Sequence, residues 1–568
     1  MKPAARGLFA FTVFIYFSFL LSGCGSTAGK NSVPGSPVAL SLTATPMTIA
    51  PGQTATLNWS VPNGAASSLA INGICTTCSL PTGSAPTPPL TSTTTYTATI
   101  TDSAGRAATA AATVTVTSSL PGPLKHIFVL VQENRSFDNY FGALGAYRSS
   151  RLQQAGISDA QTVDAFNPNL ALTNHNTGAS AKPFHEPTVC TEDLSAAWDE
   201  SHHDAALSGG DPAWSTTSSF NAGLFAMNNF LDTTASVTQN YDPNGTRAVG
   251  FYDQTDIPYY YDLATFFATS DAWFSPVLAG TVPNRMFLIA GSSFGHEYPD
   301  LTGHPLYAAP TIFRAMNQAN VSWLYYYRDD VFLANFRDSQ DPAIQPKILP
   351  ITDLLSRLGG SCSGAACDAD SSLPEVVFID SASGSSQLDE HPGNNIQSGA
   401  AYVQSLIAAL MQSDAWSDSA LILTYDEGGG LYDHVAPIPV PAPDSLGPGQ
   451  CPDPNNGSSQ YCRVGTISGG FNLSGFRVPL MVVSPFAKAH FVSHTARDYT
   501  AILAFIENTF NVPALTARDA FWKQQGDMQE FFDFSAAASL NPPGGSAWTQ
   551  FLNSQPTGGV CDPTKEAG

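Results

Sequence analysis

Two short acidic motifs stand where an apolar run stops. The first covers 126–138 and reads His126-Ile-Phe-Val-Leu-Val-Gln-Glu133-Asn134-Arg135-Ser136-Phe137-Asp138. The second covers 421–435 and contains Tyr425-Asp426-Glu427-Gly-Gly-Gly430-Leu-Tyr-Asp433-His434-Val435. A buried strand that ends in carboxylates and an amide delivers them into the crevice at the carboxyl edge of an α/β sheet. Such oxygens suit a hard divalent cation. Each motif also has an ordinary reading: Glu133-Asn134 as a helix start, and Asp426-Glu427 before three glycines as a solvated turn.

A third segment, Gly280-Thr281-Val-Pro283-Asn284-Arg285, precedes the apolar run Met286-Phe-Leu-Ile-Ala290. A Thr ahead of a Pro-led helix is a natural N-cap. The same place exposes free N–H groups and a dipole that favour phosphate. On spacing alone, capping is the favoured reading of Thr281.

These motifs need a sheet to bring them together. Apolar strand candidates are 126–131, 374–379, 420–425 and 478–483. Val403, Leu406, Ile407 and Leu410 follow the spacing of a packed helix, as do Ile502, Phe505 and Ile506. Strands buried on both faces with helices between them predict an α/β fold with a mostly parallel, doubly wound sheet. The stretch 143–250 is weakly periodic and reads as an insertion that shapes a site. Residues 38–118 differ: they are rich in Thr, Ala and Ser and alternate with period two. Leu57, Trp59 and Val61 share one face, as do Tyr96, Ala98 and Ile100, then Ala112, Val114 and Val116. This predicts a small all-β sandwich, and its Pro51–Trp59 and Thr93–Ile100 stretches resemble bacterial Ig-like modules. Pro121-Gly-Pro123 marks the boundary to a catalytic domain at 122–540, with a tail at 541–568.

The formal charge of −23 over 568 residues argues against a nucleic-acid partner. The N-terminus has Lys2 and Arg6, then an apolar stretch too short to span a bilayer comfortably, then Leu21-Ser22-Gly23-Cys24. That ending resembles the lipobox of bacterial lipoproteins. It predicts a signal at 1–23, a lipid on Cys24, a tether at 24–37 and attachment to the cell envelope. An ordinary secretory signal is the alternative. Eight further Cys in an exported chain suggest disulfides. Cys362/Cys367 and Cys451/Cys462 are the nearest pairs. For Cys75/Cys78 the readings are a local disulfide, free thiols or half a zinc site.

The stretches Glu133–Gly142, Gly280–Arg285, Asp389-Glu390-His391-Pro392 and Tyr425–Val435 occur in one order. Together they resemble the bacterial phosphoesterase family that contains phospholipases C and metal-dependent acid phosphatases. The similarity runs from about residue 124 to about 530. It implies an alkaline-phosphatase-like fold and one divalent metal ion, with Ca, Mg, Mn, Fe and Zn all open. By position it implies Glu133, Asn134, Asp426, Glu427 and Thr281 as ligands and Thr281 as nucleophile, with a phosphothreonine intermediate. His391 would hydrogen-bond the phosphate or protonate the leaving oxygen. Asn284 would steady the non-bridging oxygens. His202 and His434 would meet substrate, with Asp433 and His434 also candidates to support the ligands or add one. The chain departs from the family at Ala196, where a His often stands, and at Tyr499, another common His position. The expected function is phospholipase C-like hydrolysis of a phosphoester or phospholipid. The alternatives are an acid phosphatase acting on phosphomonoesters, or a surface-binding Ig-like lipoprotein with an inactive hydrolase domain.

Overall fold

Seven consecutive residues, His126–Gln132 (β1), are buried on both faces, as are the seven of Ser419–Tyr425. A strand with no wet face must lie inside a sheet covered on both sides, and that is where the computed structural model has them. It describes residues 40–566 apart from short breaks, of which 207–224, 360–372 and 541–554 are the longest. The export signal, Cys24, the tether and the Cys362/Cys367 pair lie outside the described residues.

In chain order the other strands of the main sheet are Ala268–Ser270 (β2), Trp323–Tyr327 (β3), Ile348–Pro350 (β4), Val376–Ile379 (β5), Ser419–Tyr425 (β6), Leu480–Val483 (β7) and Val492–Ser493 (β8). They lie in the order β4-β3-β5-β1-β6-β7-β2-β8. Neighbours are parallel from β4 through β6. The expected strand at 478–483 forms as β7 but runs antiparallel to both β6 and β2. The sheet is therefore mostly parallel, as expected, with one reversed strand. β1 and β6 are central and in register, from His126 opposite Ser419 to Gln132 opposite Tyr425. Glu133 and Asp426 consequently leave the sheet at the same level.

Four helices matter for the site. Phe137–Phe141 (α1) follows β1 and is capped by Ser136, whose hydroxyl accepts from the Asn139 N–H. Thr281–Ala290 (α2) ends at Gly291 in the left-handed region. Ile396–Gln412 (α3) and Ala501–Phe510 (α4) contain the two apolar patterns read from sequence. The main core joins β1, β5, β6 and β7 to these helices through Val129, Ile379, Leu406, Val482 and Phe505. Fully burying each such side chain is worth about 1.5–3 kcal/mol.

The stretch 143–250 is not structureless. It contains helices Leu144–Gln154, Trp198–Asp204 and Phe230–Val237, and Leu172, Leu194, Phe230 and Leu231 form part of a separate apolar cluster with Tyr432 and Phe476. Spatial proximity divides the chain into two units, with Thr56–Thr87 and Thr95–Thr113 in the first and Val114–Gly568 in the second. In the first, Thr56–Ser60 pairs antiparallel with both Ser41–Thr45 and Thr82–Pro86. Leu57, Trp59, Tyr96, Ala98 and Ile100 are buried as the alternation predicts.

Cys75–Cys78 and Cys451–Cys462 are disulfides. A third, Cys190–Cys561, was not foreseen. It draws the tail back onto the insertion, where Val189 N donates to Val560 O and Arg247 pairs with Glu566 at 2.6 Å.

Candidate active site

The site grows from the ends of β1 and β6. Asn134 has φ 57°, a conformation that Asn tolerates better than most residues. Its backbone N–H donates to Asp426 Oδ1 at 2.9 Å, joining the two motifs across the sheet. The glycines after Glu427 make this approach feasible. Gly429 has φ +68°, and a Cβ there would collide with the Asn134 carbonyl.

α2 decides the reading of Thr281. The helix begins at Thr281 itself, with Gly280 before it and no side-chain cap. Thr281 is thus the first helical residue and not the N-cap. Its hydroxyl donates to Asn134 Oδ1 at 3.3 Å. The hydroxyl does no capping and points at the first acidic motif.

Arg285 stands one helical turn further on, on the same face of α2. Its Nε donates to Asp426 Oδ2 at 3.1 Å and its Nη1 to Asp380 Oδ1 at 2.6 Å, while Nη2 lies 3.0 Å from Glu133 Oε1. Ser381 Oγ also donates to Glu133 Oε1, at 2.9 Å. Arg285 therefore faces three carboxylates from three strand ends. Glu427 is different. Its Oε2 accepts from Gly429 N at 2.6 Å, and among the described residues it has no ion-pair partner. Burial and then the Asp426 charge push the Glu427 carboxyl well above its ordinary range. Burial and the Glu133 charge also raise Asp426.

Above these groups opens a pocket of about 440 Å³. Its walls include Asn134, Thr281, His391 and Glu427, together with Asp193–Ala197 and Glu297–Pro299. His391 Nδ1 lies 2.8 Å from the Pro392 carbonyl. Donation there leaves Nε2 as the nitrogen available to a ligand.

Three expected substrate contacts move elsewhere. Asn284 is buried, and its amide donates to the carbonyls of Val277, Ala279 and Gly280 while its Oδ1 accepts from Val277 N. It fixes the turn that starts α2 and has no polar atom left for phosphate. His202 stacks on Trp198 at 4.2 Å, and its Nδ1 meets the Trp198 carbonyl at 2.7 Å. Burial lowers it to about 4, so it is a neutral packing group outside the pocket wall. His434 turns away to Asp138 at 2.7 Å and Asp164 at 3.3 Å, beside Arg477. Asp433 pairs with the same Arg477 at 2.9 Å. Asp433 and His434 thus anchor their loop to an ion network. Among the described residues, the tight three-group clusters of His and carboxylate are Asp138/Asp433/His434 and His185/Asp253/Asp256. Glu133, Asp426 and Glu427 are not one of them.

The His434 network gives a pH test. Burial opposes protonation, but Asp138 and Asp164 outweigh it and raise His434 from 6.5 to about 10. The folded pKa exceeds the unfolded one, so the stabilisation is complete below pH 6.5 and is lost as pH rises through about 10. The stability gap between wild type and His434→Gln, read by urea unfolding, should be on the order of 3 kcal/mol at pH 6. It should shrink steadily towards pH 10; a gap that does not change with pH would remove the charged pair.

Sequence reasoning missed Arg285, although its spacing from Thr281 was a usable signal. It also missed Asp380 and Glu297-Tyr298, which no motif marked. Ala196 was noticed only as a departure from a family pattern, Asp193 not at all, and both line the pocket.

Residues 124–513 match the sequence profile described as the Phosphoesterase family. This chain belongs to the phosphoesterase family. The phosphoesterase is an enzyme that hydrolyses phosphate esters, with relatives in bacteria and plants. It is 29% identical over 456 residues to "Phospholipase C B" of Mycobacterium tuberculosis, covering 74% of this chain and 80% of that one. It is 28% identical over 506 residues to "Non-hemolytic phospholipase C" of Burkholderia pseudomallei, covering 78% and 62%. It is 27% identical over 444 residues to "Non-specific phospholipase C1" of Arabidopsis thaliana, covering 73% and 72%. Among solved structures, a protein of the alkaline phosphatase superfamily from Vibrio parahaemolyticus aligns with TM-score 0.28 and 9% identity, over 67% of this chain and 78% of that one. In this phosphoesterase the pocket wall at Asp193–Ala197 follows directly on the disulfide-bound Cys190, so the tail braces the segment that carries the wall.

Proposed function

We propose that this phosphoesterase acts in the manner of a phospholipase C, with Thr281 as nucleophile. The observation that carries the reading is the uncapped Thr281 hydroxyl at the start of α2, 3.3 Å from Asn134. Asn134 is in turn bonded to Asp426 from the neighbouring strand end.

The donor set fits a divalent cation. Asn134, Thr281 and Glu427 line the pocket, Glu133 and Asp426 sit beside them paired with Arg285, and Glu427 is a buried carboxylate without an ion-pair partner among the described residues. Glu133, Asn134, Thr281, Asp426 and Glu427 would hold the ion. When bound, it would supply the positive charge that eases loss of the Thr281 proton and offsets charge building on the phosphoryl oxygens. Thr281 Oγ1 then attacks phosphorus with its proton released to solvent, and the bond from phosphorus to the ester oxygen breaks. His391 Nε2 gives that oxygen its proton. Water then attacks the phosphothreonine and gives a proton back to His391, the bond from phosphorus to Thr281 Oγ1 breaks, Oγ1 regains a proton from solvent, and the phosphoryl group leaves.

The pocket wall favours the diester over the monoester. Asp193 and Glu297 line the pocket and, when ionised, put negative charge around the phosphate position. A phosphomonoester near neutral pH carries about two negative charges and a diester one, so repulsion weighs more on the monoester. The chain is further read as exported and lipid-anchored through Cys24. Its disulfides fit an oxidising compartment.

Hydrolysis of p-nitrophenyl phosphorylcholine and p-nitrophenyl phosphate, each with and without a chelator, tests the reading. Turnover of the choline ester should exceed that of the monoester, and the chelator should stop both. Turnover of the monoester alone would select the acid phosphatase. Full activity after complete metal removal, verified by mass spectrometry, would reject the cation.

A further inference from the structure

The residue before His391 is held in an unusual cage. Glu390 is fully buried, and its carboxylate receives four donors. Tyr260 OH reaches Oε1 at 2.5 Å and Gln132 Nε2 reaches it at 3.0 Å. Tyr140 OH and Tyr425 OH each reach Oε2 at 2.7 Å. An ionised carboxylate has about four lone-pair sites, so this one is saturated by donors alone.

The backbone of Glu390 is held as firmly. It lies at φ +69°, a left-handed conformation that costs a side-chain-bearing residue roughly 1–2 kcal/mol. Its carbonyl accepts from Arg135 Nε at 2.9 Å and Nη2 at 2.7 Å. α3 closes on it through Gly399, where a Cβ would overlap the Glu390 side chain. Backbone strain that neighbours over-determine in this way marks a place where direction matters.

The donors come from telling positions. Gln132 directly precedes Glu133, and Tyr425 directly precedes Asp426. Tyr140 belongs to α1, immediately after the first acidic motif, and Glu133 N itself donates to Asp389 O at 2.9 Å. One carboxylate thus ties the ends of β1 and β6 to the segment that carries His391.

We propose that Glu390 is a positioning residue that fixes the His391 ring relative to the strand ends carrying Glu133 and Asp426, with Tyr140, Tyr260, Tyr425 and Gln132 as its clamps. This rests on the reading of His391 as proton donor to the leaving oxygen. Replacing Glu390 by Gln keeps the size but turns an NH2 towards donors. At least one clamp must let go, and the His391 backbone turns with it.

The test uses leaving groups, because a proton donor matters most when the leaving oxygen is basic. The full chain is assayed on p-nitrophenyl phosphorylcholine against dihexanoyl phosphatidylcholine, and on p-nitrophenyl phosphate against glycerol phosphate. For Glu390→Gln, kcat on the alkyl ester should fall about tenfold more than on the aryl ester, within the usual range for a lost general acid. His391→Gln should show the same bias, and the double variant should lose no more than His391→Gln alone. If Glu390→Gln does not fold, Tyr260→Phe, which removes one clamp and keeps the carboxylate, must show the bias instead. Equal losses on aryl and alkyl esters, or losses that multiply in the double variant, overturn the positioning role and leave the site reading intact. A His391→Gln variant without the bias removes the proton-donor reading and this inference with it.

Discussion

Thr281→Ala should lower kcat/KM on p-nitrophenyl phosphorylcholine by at least about a thousandfold, roughly 4 kcal/mol of transition-state stabilisation. The size follows from the role: the residual enzyme would still bind substrate but would have no oxygen to carry the phosphoryl group. The fold should survive. Thr281 is the first helical residue and caps nothing, so the change removes one long hydrogen bond to Asn134 and unfolding should shift by no more than about 1 kcal/mol. Thr281→Ser retains the hydroxyl and should keep measurable turnover. Rapid quench with labelled substrate should trap phosphate on wild type and none on the Ala variant. Normal turnover by the Ala variant would rule out Thr281 as nucleophile.

The second large effect is on stability. Arg285→Met should destabilise the protein by about 3–5 kcal/mol, because it strips the counter-charge from buried carboxylates. Glu133, Asp380 and Asp426 all lose a partner at once, and the guanidinium they lose is 5% exposed. Asp380 retains donors from Tyr325 OH at 2.5 Å and Phe332 N at 2.7 Å, Asp426 retains the N–H groups of Asn134 and Glu427, and among the described residues Glu133 retains only Ser381 Oγ, so Glu133 bears the largest share of the loss. The pH sign follows. Burial and the Glu133 charge already raise Asp426, and Arg285 pulls it back down; without Arg285 its carboxyl rises further above its unfolded value, so the variant gains stability relative to wild type as pH falls. Urea unfolding of the metal-free protein at pH 7 and pH 5 reads this directly. Equal stability of variant and wild type at pH 7 would show that the guanidinium is not what balances these charges. The same position suggests why Arg is used: its planar fork reaches carboxylates from several strand ends at once, which a Lys point charge cannot do.

The acidic motifs were legible because strand ends obey a local rule. An apolar run buried on both faces, followed by Glu133-Asn134 or Asp426-Glu427, is visible without knowing which strand lies beside which. The buried faces of the small β unit, at Leu57, Trp59, Ala98 and Ile100, were legible for the same reason: period two is a property of one strand. On spacing alone Thr281 reads as a cap, and only the family resemblance makes it a nucleophile; the structure starts the helix at Thr281 itself, where Asn284 holds the turn at 277–280. His202 and His434 were drawn into the site by their positions in the family resemblance. A histidine's role depends on which face of its element is filled, and both are occupied by Trp198, Asp138 or Asp164 before any ligand arrives. The Cys190–Cys561 bridge could not be foreseen, since pairing by nearness in sequence fails across a separation of 371 residues.

The sequence by itself determined the chemistry on offer: carboxylate and amide oxygens at two strand ends, a hydroxyl at a helix start, and enough apolar strands to build a buried sheet. Those are properties of residue types and short-range periodicity. Only the tertiary structure decided which groups meet. The parallel register of β1 with β6 sets Glu133 beside Asp426, the turn of α2 points Thr281 at Asn134, and the Glu390 cage joins a third segment to both. Contacts between residues far apart in the chain depend on the packing of the whole core, and no local pattern encodes them.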